Sequence, residues 1–139
     1  MTSSKTSHCK VIFPGDLNNN GTLFGGLAMQ WMDEVAYITA TRFTRKKVVT
    51  VSVCKVNFVA PVQPNMIVEI RGTVQKVGLV KMEVLVEIYQ EDMYSDYRNK
   101  AVEATFIFAA ADNDNKPIRL MDSALKLKIK YDSVKQRYL

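Results

Sequence analysis

The chain is poor in the residues that build many active centres. It has a single histidine, His8, ahead of the first strand candidate, so a Ser-His-Asp triad falls away for want of its base. Its two cysteines, Cys9 and Cys54, show neither a CxxC nor a Cys/His ligand spacing. Zinc and redox sites therefore lose their support, no metal is expected, and both cysteines read as reduced thiols of a cytoplasmic protein. No apolar run approaches the ~20 residues of a membrane span, and MTSSKTSHCK lacks the apolar stretch of a secretory signal, so no membrane partner is expected. There is no internal repeat and no low-complexity tract beyond the triplet Asn18–Asn20.

What is present is the composition of one soluble domain, 47% hydrophobic and 24% charged over 139 residues. The net charge of +5 is unevenly spread: residues 1–115 hold 12 Lys/Arg against 12 Asp/Glu, and residues 116–139 hold 7 against 2. A nucleic-acid surface wants basic residues spread among stacking aromatics, so no nucleic-acid partner is expected. The basic end reads as a solvated tail, or as an attractor for a polyanionic ligand.

Lys10–Phe13 is a short strand candidate, stopped by Pro14-Gly15, and 16–21 is a loop by composition. Thr22 is a capping candidate for a helix running to about Arg45, where Arg45, Lys46 and Lys47 suit the negative end of the macrodipole. Four strand-like stretches come next, at 48–59, 66–77, 79–89 and 101–111, divided by Pro61–Asn65, Gly78, a polar loop and Asp112–Lys116. Consecutive strands with short connections are expected to pair antiparallel. One long apolar helix on one antiparallel sheet is the simplest way to bury both, which makes the fold class α+β. At the C-terminus Leu125–Tyr131 alternates like a strand, while Leu127, Tyr131, Val134 and Tyr138 are spaced like a helix. The expected organisation is a domain over 1–118 and a basic, partly helical extension over 119–139.

The helix carries a puzzle. At 100° per residue, Gln30, Asp33, Glu34, Tyr37 and Thr41 share one sector about 100° wide, and almost everything else is apolar. The plain reading is a solvent-facing stripe. The helix start suggests more: Gly25-Gly26 lets a ligand approach the backbone, and first-turn N–H groups lack intrahelical partners, which suits an anion or a developing oxyanion. A glycine pair also serves tight packing of a helix on a sheet.

DLNNNGTLFGGLAMQWMDEVAYITATR together with VVTVSVCKVNFVAPV resembles the hotdog-fold acyl-CoA thioesterases of the cytosolic acyl-CoA hydrolase family. The pattern is Asp16-x-Asn18-x-Asn20-Gly21, Phe24-Gly25-Gly26, Met32-Asp33-Glu34, then Val49–Val53, Phe58 and Pro61-Val62. VGLVKMEVLVEIY and ATFIFAAADNDNKP extend it, so the likeness covers about residues 8–118.

The resemblance implies a sheet wrapped round one central helix and hydrolysis of fatty acyl-CoA to free acid and CoA without a cofactor. It also implies homodimers with active sites at the interface, assembling as trimers of dimers into a hexamer. Asp33 matches the helix carboxylate that activates water or attacks the thioester. Gly26 matches the oxyanion donor, and Asn18 matches the loop amide that orients water or polarises the carbonyl. Gly25, Phe24 and Ser52 would line the substrate. Arg42 reads either as part of a solvated helix end or as a contact for the CoA phosphates, and Lys81 is a second candidate for such a contact.

Relatives often carry histidine where Asn19 and Asn20 stand, an acidic residue or asparagine at Thr22, and small hydroxyl residues where Leu79, Val80 and Lys81 stand. Thr22 thereby becomes a second candidate for the polar group beside Asn18. The same departures, with the basic tail, motivate an alternative: a non-catalytic hotdog module that senses acyl-CoA or a nucleotide.

Overall fold

The computed structural model describes residues 4–120. Five strands, β1 (Lys5–Val11), β2 (Val48–Phe58), β3 (Met66–Val77), β4 (Lys81–Asp92) and β5 (Arg98–Ala110), form one antiparallel sheet in the order β1-β3-β4-β5-β2. A single long helix, α1 (Gly25–Thr44), lies across one face, chiefly over β3 and β4. This is the expected α+β hotdog arrangement.

The core is the interlock of these two layers. Ala28, Met32, Val35, Ala36 and Ala40 of α1 are buried against Val68, Ile70, Val84, Val86 and Phe106 from the inward positions of the strands. Full burial of one such Val, Ile or Phe side chain contributes about 1.5–3 kcal/mol.

Three details differ from the sequence reading. The first strand begins at Lys5 and ends at Val11. Beyond it Phe13 donates its N–H to Asp16 Oδ2 (2.9 Å), and Pro14–Asp16 forms a 3₁₀ turn. The helix is capped by Phe24, not Thr22, and no side chain bonds its first turn at the cap.

The third difference is topological. β2 and β3 are consecutive in sequence but do not pair; β2 lies at the far edge on β5. The segment 59–65 must therefore span three strand spacings, roughly 14 Å at 4.8 Å each. Pro61 and Pro64, which lack N–H groups, disfavour a tight ladder-forming hairpin there.

The chain packs as far as Leu120, which is fully buried; its N–H donates to Leu79 O (2.6 Å), and Lys46 Nζ donates to the carbonyls of Arg119 and Leu120 (3.1 Å each). The helical spacing expected near the C-terminus falls outside the described residues.

Candidate active site

Asn18 organises the loop that leads into α1. Its Oδ1 accepts the N–H groups of Asn20 (2.8 Å) and Thr22 (3.2 Å), and its Nδ2 donates to Thr22 Oγ1 (3.2 Å). The backbone closes the same turn, with Asn18 N–H on Thr22 O at 2.8 Å and Gly21 N–H on Asn18 O at 3.1 Å. Gly21 sits at φ +75, a left-handed conformation that favours glycine. The Asn-rich stretch is thus a hydrogen-bonded turn in which Asn18 and Thr22 act as a unit. An amide nitrogen has two protons, so Asn18 keeps one for an outside acceptor.

The turn is tied to the helix start through its neighbours. Leu23 N–H donates to Val62 O and Phe24 N–H donates to Asp16 O, both at 2.9 Å. The first intrahelical bond is Ala28 N–H to Phe24 O at 3.0 Å. The N–H groups of Gly25, Gly26 and Leu27 therefore stand at the open positive end of the helix. A Cβ at Gly25 would come within 3.7 Å of the Phe58 ring, and one at Gly26 within 2.7 Å of the Phe24 ring. The glycines thus sit under two exposed aromatic rings.

The two helix carboxylates face different places. Both are exposed, and neither has an ion pair or hydrogen bond among the described residues. Glu34 lines a groove against β1 with Thr6, His8, Lys10, Trp31 and Ile38; there Lys10 Nζ stands 4.8 Å over the Trp31 ring. Asp33, 100° further round the helix, faces the opposite flank together with Gly26, Met29 and Tyr37. With β1 on the Glu34 side, the sheet order puts β2 on the Asp33 side.

β2 is the unusual strand. Cross-strand partners share a face, so Thr50, Val53 and Phe58, opposite Phe108, Phe106 and Val102, point to the helix side. Yet the helix does not cover them, and Phe58 remains 54% exposed. The result is an open cleft: the Gly26–Asp33 flank of α1 on one side and the uncovered inner side of β2 on the other.

A bulge separates Thr50 from Ser52. Strict alternation would put both on one face; with Val51 as the extra residue, Ser52 pairs with Ile107 and turns to the outer side of the sheet. The structure therefore brings Thr50, not Ser52, to the cleft within one subunit. Simple alternation along VVTVSV does not tell them apart.

Asn18, Thr22, Phe24, Gly25 and Gly26 gather at the helix start, with Asp33 two turns along. Arg42 and Lys81 do not join them. Arg42 lies sixteen residues beyond Gly26, roughly 24 Å along the axis, and its guanidinium donates to Thr6 Oγ1 (3.2 Å) and Lys5 O (3.4 Å). Lys81 starts β4 beside the β3–β4 turn, also at the far end.

The outer face of the sheet is occupied by an ionic network: Glu69 with Arg71 (2.9 Å) and Arg98 (2.8 Å), and Lys100 with Glu87 (3.0 Å) and Glu103 (2.7 Å). It is separated from the cleft by the sheet itself.

Residues 20–96 match the family model described as the Thioesterase superfamily. An uncharacterised acyl-CoA thioester hydrolase of Bacillus subtilis is 36% identical over 126 residues, covering 85% of this chain and 73% of that protein. An acyl-CoA hydrolase of Staphylococcus aureus, solved with butyryl-CoA and CoA, is 32% identical with a TM-score of 0.80, covering 97% of this chain and 84% of that one. It has also been solved with an aspartate, an asparagine and a threonine each changed to alanine. A hexameric thioesterase of Yersinia pestis is 30% identical with a TM-score of 0.75, covering 83% of this chain and 93% of that one. The family match runs without a break from the asparagine turn through α1 to the end of β4, and the chain belongs to the thioesterase superfamily.

Proposed function

We infer that this chain hydrolyses fatty acyl-CoA thioesters to the free acid and CoA, with Asp33 as the activating carboxylate. The observation that carries the reading is the open cleft, in which a carboxylate with no ion pair among the described residues and a helix start with no side-chain cap flank an uncovered apolar strand face.

The distances within one subunit favour a shared site. Asp33 lies seven residues beyond Gly26, about 10 Å along the helix, too far for both to serve one reacting carbon directly. β2 offers an unpaired edge and exposed Val51, Val56 and Phe58, which a second copy would cover while extending the sheet. In such a dimer the helix start and Asn18 of one copy serve the Asp33 of the other. The hexameric Yersinia relative supports a trimer of such dimers.

In the reaction, Asp33 takes a proton from water as that water attacks the thioester carbonyl. The negative charge moves to oxygen, where the Gly26 N–H donates to it; one such donor contributes about 3 kcal/mol. Collapse breaks the C–S bond, and the CoA sulfur leaves and takes the proton that Asp33 removed from water, which returns Asp33 to its carboxylate form. Asn18, held by Thr22, uses its remaining amide proton to orient the water or the carbonyl. No cofactor is required. The three residues changed in the Staphylococcus enzyme have the same spacing as Asn18, Asp33 and Thr50, which supports adding Thr50 to the site.

The test is thiol release from acyl-CoAs between acetyl and palmitoyl, for wild type beside Asp33→Asn. Turnover that falls by ~100-fold or more in the variant is expected for loss of a general base. Bound acyl-CoA without turnover in either protein would make the chain a sensor.

A further inference from the structure

Gln90 is a buried polar residue with no counterpart elsewhere in the described core. It is 3% exposed, on an inward position of β4. The other buried polar side chains are threonines, and Thr39 and Thr44 spend their hydroxyls on their own helix. Gln90 instead reaches out of its strand. Its Nε2 donates to Pro61 O and its Oε1 accepts from Gln63 N–H, both at 3.1 Å.

The reason lies in the topology. The segment 59–65 crosses the sheet end from β2 to β3; Val59 and Ala60 still donate to Ala101 O of β5, but Pro61–Gln63 lies outside the strand ladders. The Gln90 amide offers one donor and one acceptor side by side, as a peptide unit would, and satisfies the backbone on both sides of Val62.

Val62 is the link to the site. Its own carbonyl accepts the Leu23 N–H at 2.9 Å, one residue before the cap Phe24 and three before Gly26. Val62 and Leu23 are both buried in the core, so a displacement of one is transmitted to the other by packing as well as by the hydrogen bond.

We propose that Gln90 is a positioning residue for thioester hydrolysis, which sets the helix start, and with it the Gly26 N–H, through Pro61–Gln63 and Leu23. The proposal rests on the hydrolase reading. An oxyanion donor acts only when it is aimed at the developing charge, and a 1 Å misplacement far from the chemistry can cost about 100-fold. Gln90 touches no substrate, so its loss acts on kcat and leaves binding of the CoA portion alone.

Gln90→Leu removes both hydrogen bonds at similar size; Gln90→Glu keeps the acceptor and loses the donor while ionised. For folded Gln90→Leu, kcat is expected to fall by about 10-fold or more, with KM and inhibition by free CoA within about 2-fold of wild type. For Gln90→Glu, the kcat ratio to wild type is expected to rise as pH falls, because protonation restores a donor toward Pro61 O. Amide hydrogen exchange at Leu23 and Phe24, whose N–H groups are bonded to Val62 O and Asp16 O, supplies a readout that needs no turnover, and is expected to quicken in both variants.

A lowered melting temperature with unchanged kcat and unchanged exchange at Leu23 and Phe24 would make Gln90 merely structural and overturn the proposal. If Gln90→Leu does not fold, a Gln90→Glu ratio flat with pH, with unchanged exchange, overturns it equally. A wild type that releases no thiol sinks the hydrolase reading alone, and the exchange result then decides whether Gln90 sets the helix start.

Discussion

Gly72 of β3 and Thr39 of α1 meet so closely that a Cβ on Gly72 would overlap Thr39 Oγ1 and crowd Val35 Cγ1 at 3.1 Å. This is the point where helix and sheet approach with nothing between them. Thr39 has no freedom to withdraw, since its hydroxyl donates to Val35 O at 2.7 Å and the residue is fully buried. Gly72→Ala is expected to lower stability by about 1–3 kcal/mol through overpacking. The same change with Thr39→Ala should recover part of the loss, since it removes the hydroxyl that the new Cβ would overlap. Urea unfolding of the two variants checks both statements.

Lys55 holds φ +54 in the bulged part of β2, where a side chain is ill-suited to the left-handed conformation. Lys55→Gly is expected to be neutral or more stable by up to about 1 kcal/mol, while Lys55→Val loses at least about 1 kcal/mol. Denaturation midpoints at one fixed protein concentration separate the two.

Thr50 and Ser52, two residues apart, should behave differently. Thr50 faces the cleft and Ser52 the outer side. Thr50→Ala is expected to lower kcat/KM by about 10-fold or more, and Ser52→Ala to change it less than 2-fold. Equal losses in both variants would show that the bulge does not sort them in the assembled protein.

The outer-face network predicts a pH window for stability. Burial works to raise the Glu69 carboxyl, but hydrogen bonds from Arg98, Arg71 and Ser7 together hold it below its ordinary 4.5. The hydrogen bond from Lys100 holds Glu103 down as well. Their stabilisation is present above pH 4.5 and is lost as pH falls through the lowered values. At the other end, hydrogen bonds to Glu103 and Glu87 raise Lys100 above its ordinary 10.5. Burial and the hydrogen bond it donates to Glu87 raise Tyr89 above 10.0. These contributions are present below those ordinary values and fade as pH rises through the raised ones. Between about pH 5 and 10 these groups should leave stability flat. Glu69→Gln should lessen the acid limb and leave the alkaline limb unchanged.

Much of the fold is legible in the sequence because it is local. Met66–Val77 alternates between turn residues, which gives β3 its observed bounds, and α1 shows in its period. β1 reads too short because Lys5–Val11 is an edge strand whose residues carry almost no alternation. Thr22 looks like a cap because a hydroxyl before a helix usually is one; here that hydroxyl belongs to Asn18. The polar stripe is visible, but only the sheet order separates Asp33 from Glu34, because it puts β1 on one flank and β2 on the other. The register slip at Val51 and the long reach of Gln90 depend on pairings between residues far apart in sequence, which no period reports.

The distance from Gly26 to Asp33 along one helix has a consequence for mixtures. If every site draws its carboxylate from one copy and its helix start from another, two dead proteins can complement. An Asp33→Asn copy and an Asn18→Ala copy, unfolded together and refolded, form mixed pairs in which one of the two sites has both intact halves. Random pairing of equal amounts returns about a quarter of the sites, although neither parent has any.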